Sequence, residues 1–279
     1  MPDPSLDERG GAASRPGNSD TRRSAKTAAS RPEIAWRWSV DAAVEAEEAE
    51  LQATVGLVVR SLEAEFGAGV VAQALQNVDV TVHVYAEPND LAGPGLALLE
   101  LYDGFGGPVA DVHVLAPSRH GSARTMVGEP QDARYMHRVL MHELSTIVLV
   151  QLTEAKRQGW TFYEGPGWFC QGYPEYLGLT RTTEHARTTT LALYTERARG
   201  DARQLDRDYL GGALKLAYLH EVAGQAAVHR LLLSEHPTFA TAYVEATGQE
   251  VDDLDADVRA WLDGLPRANP RSRRAPAND

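Results

Sequence analysis

Between Val78 and Tyr85 the chain alternates without a break: valines at 78, 80, 82 and 84 fall on one side, and Asp79, Thr81, His83 and Tyr85 fall on the other. Side chains of a strand point to its two faces in turn, so this pattern predicts a strand with one buried and one solvated face. After the Pro and Gly breaks of EPNDLAGPG, Leu96 to Tyr102 reads as a second strand and Val109 to Ala116 as a third, which lies at the sheet edge. The linking DGFGG is a turn by composition. His83 and His113 occupy the polar faces of their strands, which accounts for both without a ligand role. A longer period precedes them: Val44, Leu51, Val55, Val59, Leu62 and Phe66 recur at helical spacing, with Gly67 as C-cap. One long amphipathic helix is predicted from Asp41 to Phe66.

Beyond Pro130 the helical period takes over. Helices are predicted from Asp132 to Lys156, Trp168 to Gly178, Thr189 to Arg199, Tyr209 to His220, Gln225 to Glu235 and Val251 to Leu262, the last preceded by the turn residue Gly248. Residues 1–34 are rich in Ser, Arg, Gly, Ala and Pro and poor in large apolar side chains, and are predicted to be a disordered arm. Residues 266–279 read as a disordered tail in the same way. The expected class is α+β: a small N-terminal α/β subdomain with a mixed sheet over 35–128, packed on a helical subdomain over 129–265.

Charge narrows the partners. Lys and Arg total 27 against 39 Asp and Glu, a net charge of −12. Such a surface repels phosphate backbones and anionic lipid, so neither nucleic acid nor membrane is an expected partner. The single cysteine, Cys170, excludes an intrachain disulfide. No run reaches the roughly 20 apolar residues of a membrane span. Arg22 and Arg23 are followed by SAKTAASRPE, which lacks the apolar stretch of an export signal, and the expected location is the cytoplasm.

Candidate chemistry sits on the predicted helix containing YMHRVLMHELSTIVLVQL, Tyr135 to Leu152. In an HExxH helix two histidines four residues apart lie only ~40° apart around the axis, so both reach one ion while the glutamate polarises water. Here the motif reads His142-Glu143-Leu144-Ser145-Thr146, with threonine in place of the second histidine. A second segment, Trp168-Phe169-Cys170-Gln171-Gly172-Tyr173-Pro174-Glu175-Tyr176, has the register of W-x-x-E-G-x-A-E-Y with glutamine in place of the glutamate.

Together these segments resemble the two active-site helices of gluzincin zinc metallopeptidases of the peptidase MA-like family. VDVTVHVYAEPNDL and DGFGGPVADVHVLAP are similar to that family's strands ahead of the motif, and YLGGALKLAYLHEVAGQAAVHRLL and TFATAYVEATGQEVDDLDADVRAWL to its later helices. The similarity spans Asp41 to Leu262 and implies a thermolysin-like core. By position it assigns His142 to the first zinc ligand and Glu143 to the general base, with Thr146 and Gln171 at the other two ligand positions. Glu175 matches the carboxylate that orients the first histidine, and Tyr209 a tyrosine that hydrogen-bonds the oxyanion. Glu143, Glu175 and Tyr209 are therefore the catalytic candidates. Pro174 replaces a small residue and is expected to kink its helix.

One good zinc ligand remains of three, because a hydroxyl and an amide oxygen compete poorly for this ion. No cofactor is expected, and zinc would need replacement ligands. Cys170 points about 100° around the helix from Gln171, and His137 lies ~140° from His142. His220 reads as a helix-surface histidine, and His120, His185, His229 and His236 have no ligand spacing. Restoring histidine at 146 and glutamate at 171 is expected to confer zinc binding. The reading is a non-proteolytic pseudoenzyme that binds a peptide or small molecule in the old cleft. The alternatives are a metal-free acid/base enzyme acting through Glu143 on a small molecule of a biosynthetic pathway, and a zinc peptidase with replacement ligands.

Overall fold

The valine alternation becomes β2 (Asp79–Tyr85), the centre of a four-stranded sheet in a computed structural model that describes residues 34, 36–91, 97–105, 107–120, 133–156, 158–181 and 184–266. The arm predicted over 1–34, the tail and the 128/129 boundary lie almost wholly outside these residues. β1 (Trp36–Val40) pairs with β2 in parallel, Trp36 opposite Val80, and β2 pairs in parallel with β4 (Gly107–Leu115), Asp79 opposite Val109. β3 (Ala97–Gly104) returns antiparallel to β4 across the DGFGG turn, with Leu101 opposite Ala110. The strand order is β1-β2-β4-β3.

This order corrects one expectation. The strand of Val109 to Ala116 is paired on both sides, and the edge next to it belongs to β3. Strand order is fixed by pairings distant in sequence, which the alternation of a single strand does not encode.

Two helices also differ from expectation. The predicted helix from Asp41 starts as a 3₁₀ turn at Ala42–Glu47, where Asp41 accepts from the Ala43 amide and Val44 leaves helical geometry at φ −132°. The α-helix proper, α1 (Glu48–Phe66), stops at Gly67 with φ 95°, and the chain turns at once into α2 (Ala68–Gln76). The helical half contains α3 (Ala133–Glu154), α4 (Gly167–Thr180), α5 (Glu184–Gly200), α6 (Asp208–Val222), α7 (Gln225–Leu233), α8 (Phe239–Thr247) and α9 (Leu254–Gly264). α4 continues through Pro174 to Thr180.

Val80, Val82 and Val84 of β2 and Ala110, Val112 and Val114 of β4 are buried on the inner face of the sheet. They share one hydrophobic cluster with Leu51, Val55, Val58 and Leu62 of α1 and with Leu140, Leu144, Ile147 and Val148 of α3. α3 packs against α1, α2, α4, α7 and β3, which explains why apolar residues occupy almost its whole circumference. The outer face of the sheet is a closed polar array. His83 Nε2 and Asp111 Oδ1 are 3.0 Å apart, Tyr102 donates to Asp111 Oδ2 at 2.6 Å, and Tyr85 Oη meets His113 Nδ1 at 2.8 Å. Both histidines thus stay on the polar faces, as the alternation implies. Ile34–Asp279 groups as one compact unit.

Candidate functional site

His142 and Glu143 lie near the middle of α3, whose burial leaves few polar positions. Glu175 comes from α4, which packs directly on α3. The carboxylate of Glu175 is buried, and its Oε2 faces Nδ1 of His142 at 3.5 Å. Its other oxygen, Oε1, accepts from Tyr194 Oη of α5 at 2.6 Å and from Nη2 of Arg138. Arg138 Nη2 also donates to Tyr194 Oη at 2.8 Å, closing a triangle. The Tyr209 ring of α6 stacks on the imidazole of His142, with centroids 5.4 Å apart and planes 19° from parallel. Tyr209 is 42% exposed, so it forms an accessible wall beside a buried histidine.

The electrostatics follow from this packing. Burial opposes the charge on Glu175, but Arg138, His142 and Tyr194 outweigh it and hold the carboxyl far below the usual carboxylate range. Burial likewise works against protonated His142, yet its contact with Glu175 and the charges of Glu143 and Glu175 raise its pKa above the ordinary value. Glu143 is shifted up, first by burial and then by the Glu175 charge, with His142 acting the other way. Burial also raises Tyr209, with Glu143 and Glu175 adding to it. Glu143, Glu175, His142 and Tyr209 are therefore close enough to feel one another.

The expected ligand positions do not form a zinc-binding set. Thr146 Oγ1 donates to the carbonyl of His142 at 3.0 Å, the same oxygen that Ser145 Oγ reaches at 3.0 Å. With the neutral amide of Gln171, the three positions offer one imidazole, one hydroxyl and one amide, which does not fit the preferences of zinc. Among the described residues no group of three His, Cys, Asp or Glu side chains could hold a metal ion. Cys170 turns away from Gln171: its thiol donates to the Phe162 carbonyl at 2.8 Å, and burial pushes its pKa up to about 11. His120 bonds the Leu115 carbonyl, His236 faces Glu245, and the side chain of His185 lies outside the described residues. Burial lowers the pKa of His137, whose Nε2 has no partner among the described residues.

Arg138 and Tyr194 complete the site beyond the residues that the motifs name. Arg138 lies four residues before His142 and so on the same helix face, a signal that was present; Tyr194, far along the chain, left none. Tyr163, 57% exposed in the 3₁₀ turn Phe162–Glu164, has its pKa raised by burial and by the charges of Cys170, Glu154 and Glu143.

His220 belongs elsewhere. It is not on the open helix surface but stacks on Tyr176 at 4.6 Å, near Tyr173 and the buried Glu65, which accepts from Arg181 Nε at 2.7 Å and lies 3.2 Å from His229 Nε2. Burial, with the charges of Arg181 and His229 adding and that of Glu65 opposing, pulls the pKa of His220 down to about 4. The unfolded chain binds this proton near pH 6.5 and the folded chain only near 4, so stability is full above pH 6.5 and falls as pH drops through that interval. At about 1.4 kcal/mol per pH unit, discounted for partial exposure, roughly 2 kcal/mol should be lost by pH 4. Denaturant melts between pH 7 and 4 should reveal this slope, and His220→Phe should flatten it; an unchanged slope in the variant would rule out His220 as the source.

No helix among the described residues is long and apolar enough to cross a membrane. Comparisons with protein-family models, curated proteins and solved structures returned no match.

Proposed function

We propose that this is a gluzincin-like protein with a thermolysin-like core whose cleft binds a peptide without cutting it. The observation that carries the reading is the use made of Glu175. In a carboxylate–histidine–metal arrangement that carboxylate serves the histidine ligand; here it is shared among His142, Arg138 and Tyr194. The Thr146 hydroxyl is turned back to its own helix. Polar groups that once faced a metal are retained because removing any of them would leave a buried partner unsatisfied.

The peptide is what the resemblance implies, and an edge strand is the element of this fold that suits one. Among the described residues β3 lies at the sheet edge and packs against α3, the helix that carries His142, which supports an extended peptide pairing with this strand. Peptides from a binding screen should perturb the amide resonances of 97–104 and of the residues around His142, and should be recovered intact. Tyr209→Ala should weaken them by about tenfold, the cost of losing one accessible aromatic contact. Stoichiometric zinc together with chelator-sensitive cleavage would overturn the reading.

A second reading, a metal-free acid/base enzyme, draws support from the stacking of Tyr209 on His142 beside Glu143. Its test is Glu143→Gln in chelator-treated protein: once an activity is found, an unchanged rate removes Glu143 as its base.

A further inference from the structure

Arg138 leaves α3 on the face of His142, one turn earlier, and its side chain is buried. A guanidinium is not deprotonated in proteins, so this position carries a permanent positive charge. It is one carboxylate away from the imidazole: Arg138 Nη2 donates to Glu175 Oε1, and Glu175 Oε2 faces His142 Nδ1 at 3.5 Å. A carboxylate behind a histidine normally strengthens that histidine as a metal ligand. In this cleft the guanidinium and the Tyr194 hydroxyl draw on the same carboxylate. A divalent ion at His142 would therefore face a weakened ligand and a fixed like charge in a poorly solvated site.

We infer that Arg138 is the resident cation of this cleft, a positioning residue that holds Glu175 for His142 and selects against a divalent metal even where the ligand side chains are restored. The inference rests on the reading of 142, 146 and 171 as ligand positions. It predicts that T146H/Q171E alone gives only weak zinc binding.

The test compares T146H/Q171E with the same protein carrying Arg138→Gln or Arg138→Lys. Zinc affinity is read by competition with a chromophoric chelator and, separately, as the zinc-induced rise in melting temperature. With Arg138→Gln, affinity should rise by at least about tenfold, the size expected from removing one like charge from a poorly solvated site. Arg138→Lys keeps the charge but loses the planar fork, and should stay as weak as T146H/Q171E. A purely structural role would make the Gln and Lys variants behave alike. If circular dichroism shows that the Gln variant is not folded, Arg138→Met, which retains the packing of the aliphatic stem, takes its place. Equal zinc affinity in all three proteins would overturn the role of Arg138 while leaving the ligand positions standing. Absence of zinc binding in every variant would overturn those positions, and the inference with them.

Discussion

Gly172→Ala is expected to lower the melting temperature by roughly 6–12 °C, and Gly172→Val to leave no folded protein. α4 and α6 cross at two facing glycines, Gly172 and Gly212. A Cβ on Gly172 would lie 2.4 Å from the Cα and carbonyl carbon of Gly212, and one on Gly212 would lie 2.2 Å from the Trp168 carbonyl oxygen. Every obstacle is backbone, so no rotamer change relieves the clash and the helices must separate. Overpacking of this kind costs about 3 kcal/mol or more, against a total stability of the order of 10 kcal/mol. In a chain of this size about 3 kcal/mol corresponds to the stated fall in melting temperature. Gly56 is the control: a Cβ there meets only the end of the Arg60 side chain, at 3.7 Å, so Gly56→Ala should be neutral or stabilising by up to about 1 kcal/mol. Equal melting temperatures for the two alanine variants would show that the crossing is looser than described. The same crossing fixes the spacing of the helix that carries Glu175, α4, and the helix that carries Tyr209, α6.

Glu175→Ala should cost about 3–5 kcal/mol, because it removes the carboxylate that balances the buried charge of Arg138. The loss is not a measure of what the ion pair adds, since two charges were desolvated to make it. Replacing both members, as in R138M/E175L, should therefore cost less than Glu175→Ala alone. Urea melts of Arg138→Met, Glu175→Leu and R138M/E175L form the cycle. Additive costs would mean that Arg138 and Glu175 do not depend on each other. Tyr194→Phe, which removes one donor to the same carboxylate, should lose about 1 kcal/mol.

Much of the fold was legible because burial leaves a period in the sequence. β2 and β4 alternate with a face each in the core, and α3 and α6 appear where expected. β1 carries its own alternation, with Trp36, Trp38 and Val40 turned one way, but five residues beside a polar arm give little contrast. α2 is hidden because Gly67 has the signature of a helix end, whereas it is a corner between two helices. α8 is only nine residues long. In the site, His142 and Glu175 could be paired from spacing and resemblance. The spacing puts Arg138 on the face of His142 but does not reveal its burial, since a charged residue on a helix ordinarily belongs to the solvated side, and only the partner helices α4 and α5 turn that position inward. The edge position of β3 is a property of pairing order, to which no single segment testifies.

Glu65 has a consequence for how the molecule comes apart. It leaves α1 beside the sheet, yet its two partners are Arg181, at the end of α4, and His229, in α7, separated from it by 116 and 164 residues. A fragment ending before α3 would carry this acid with neither partner, and a fragment beginning at α3 would carry two basic groups with no acid between them. The sheet layer and the helical layer are thus bound into one cooperative unfolding unit, and a single melting transition is its thermodynamic signature.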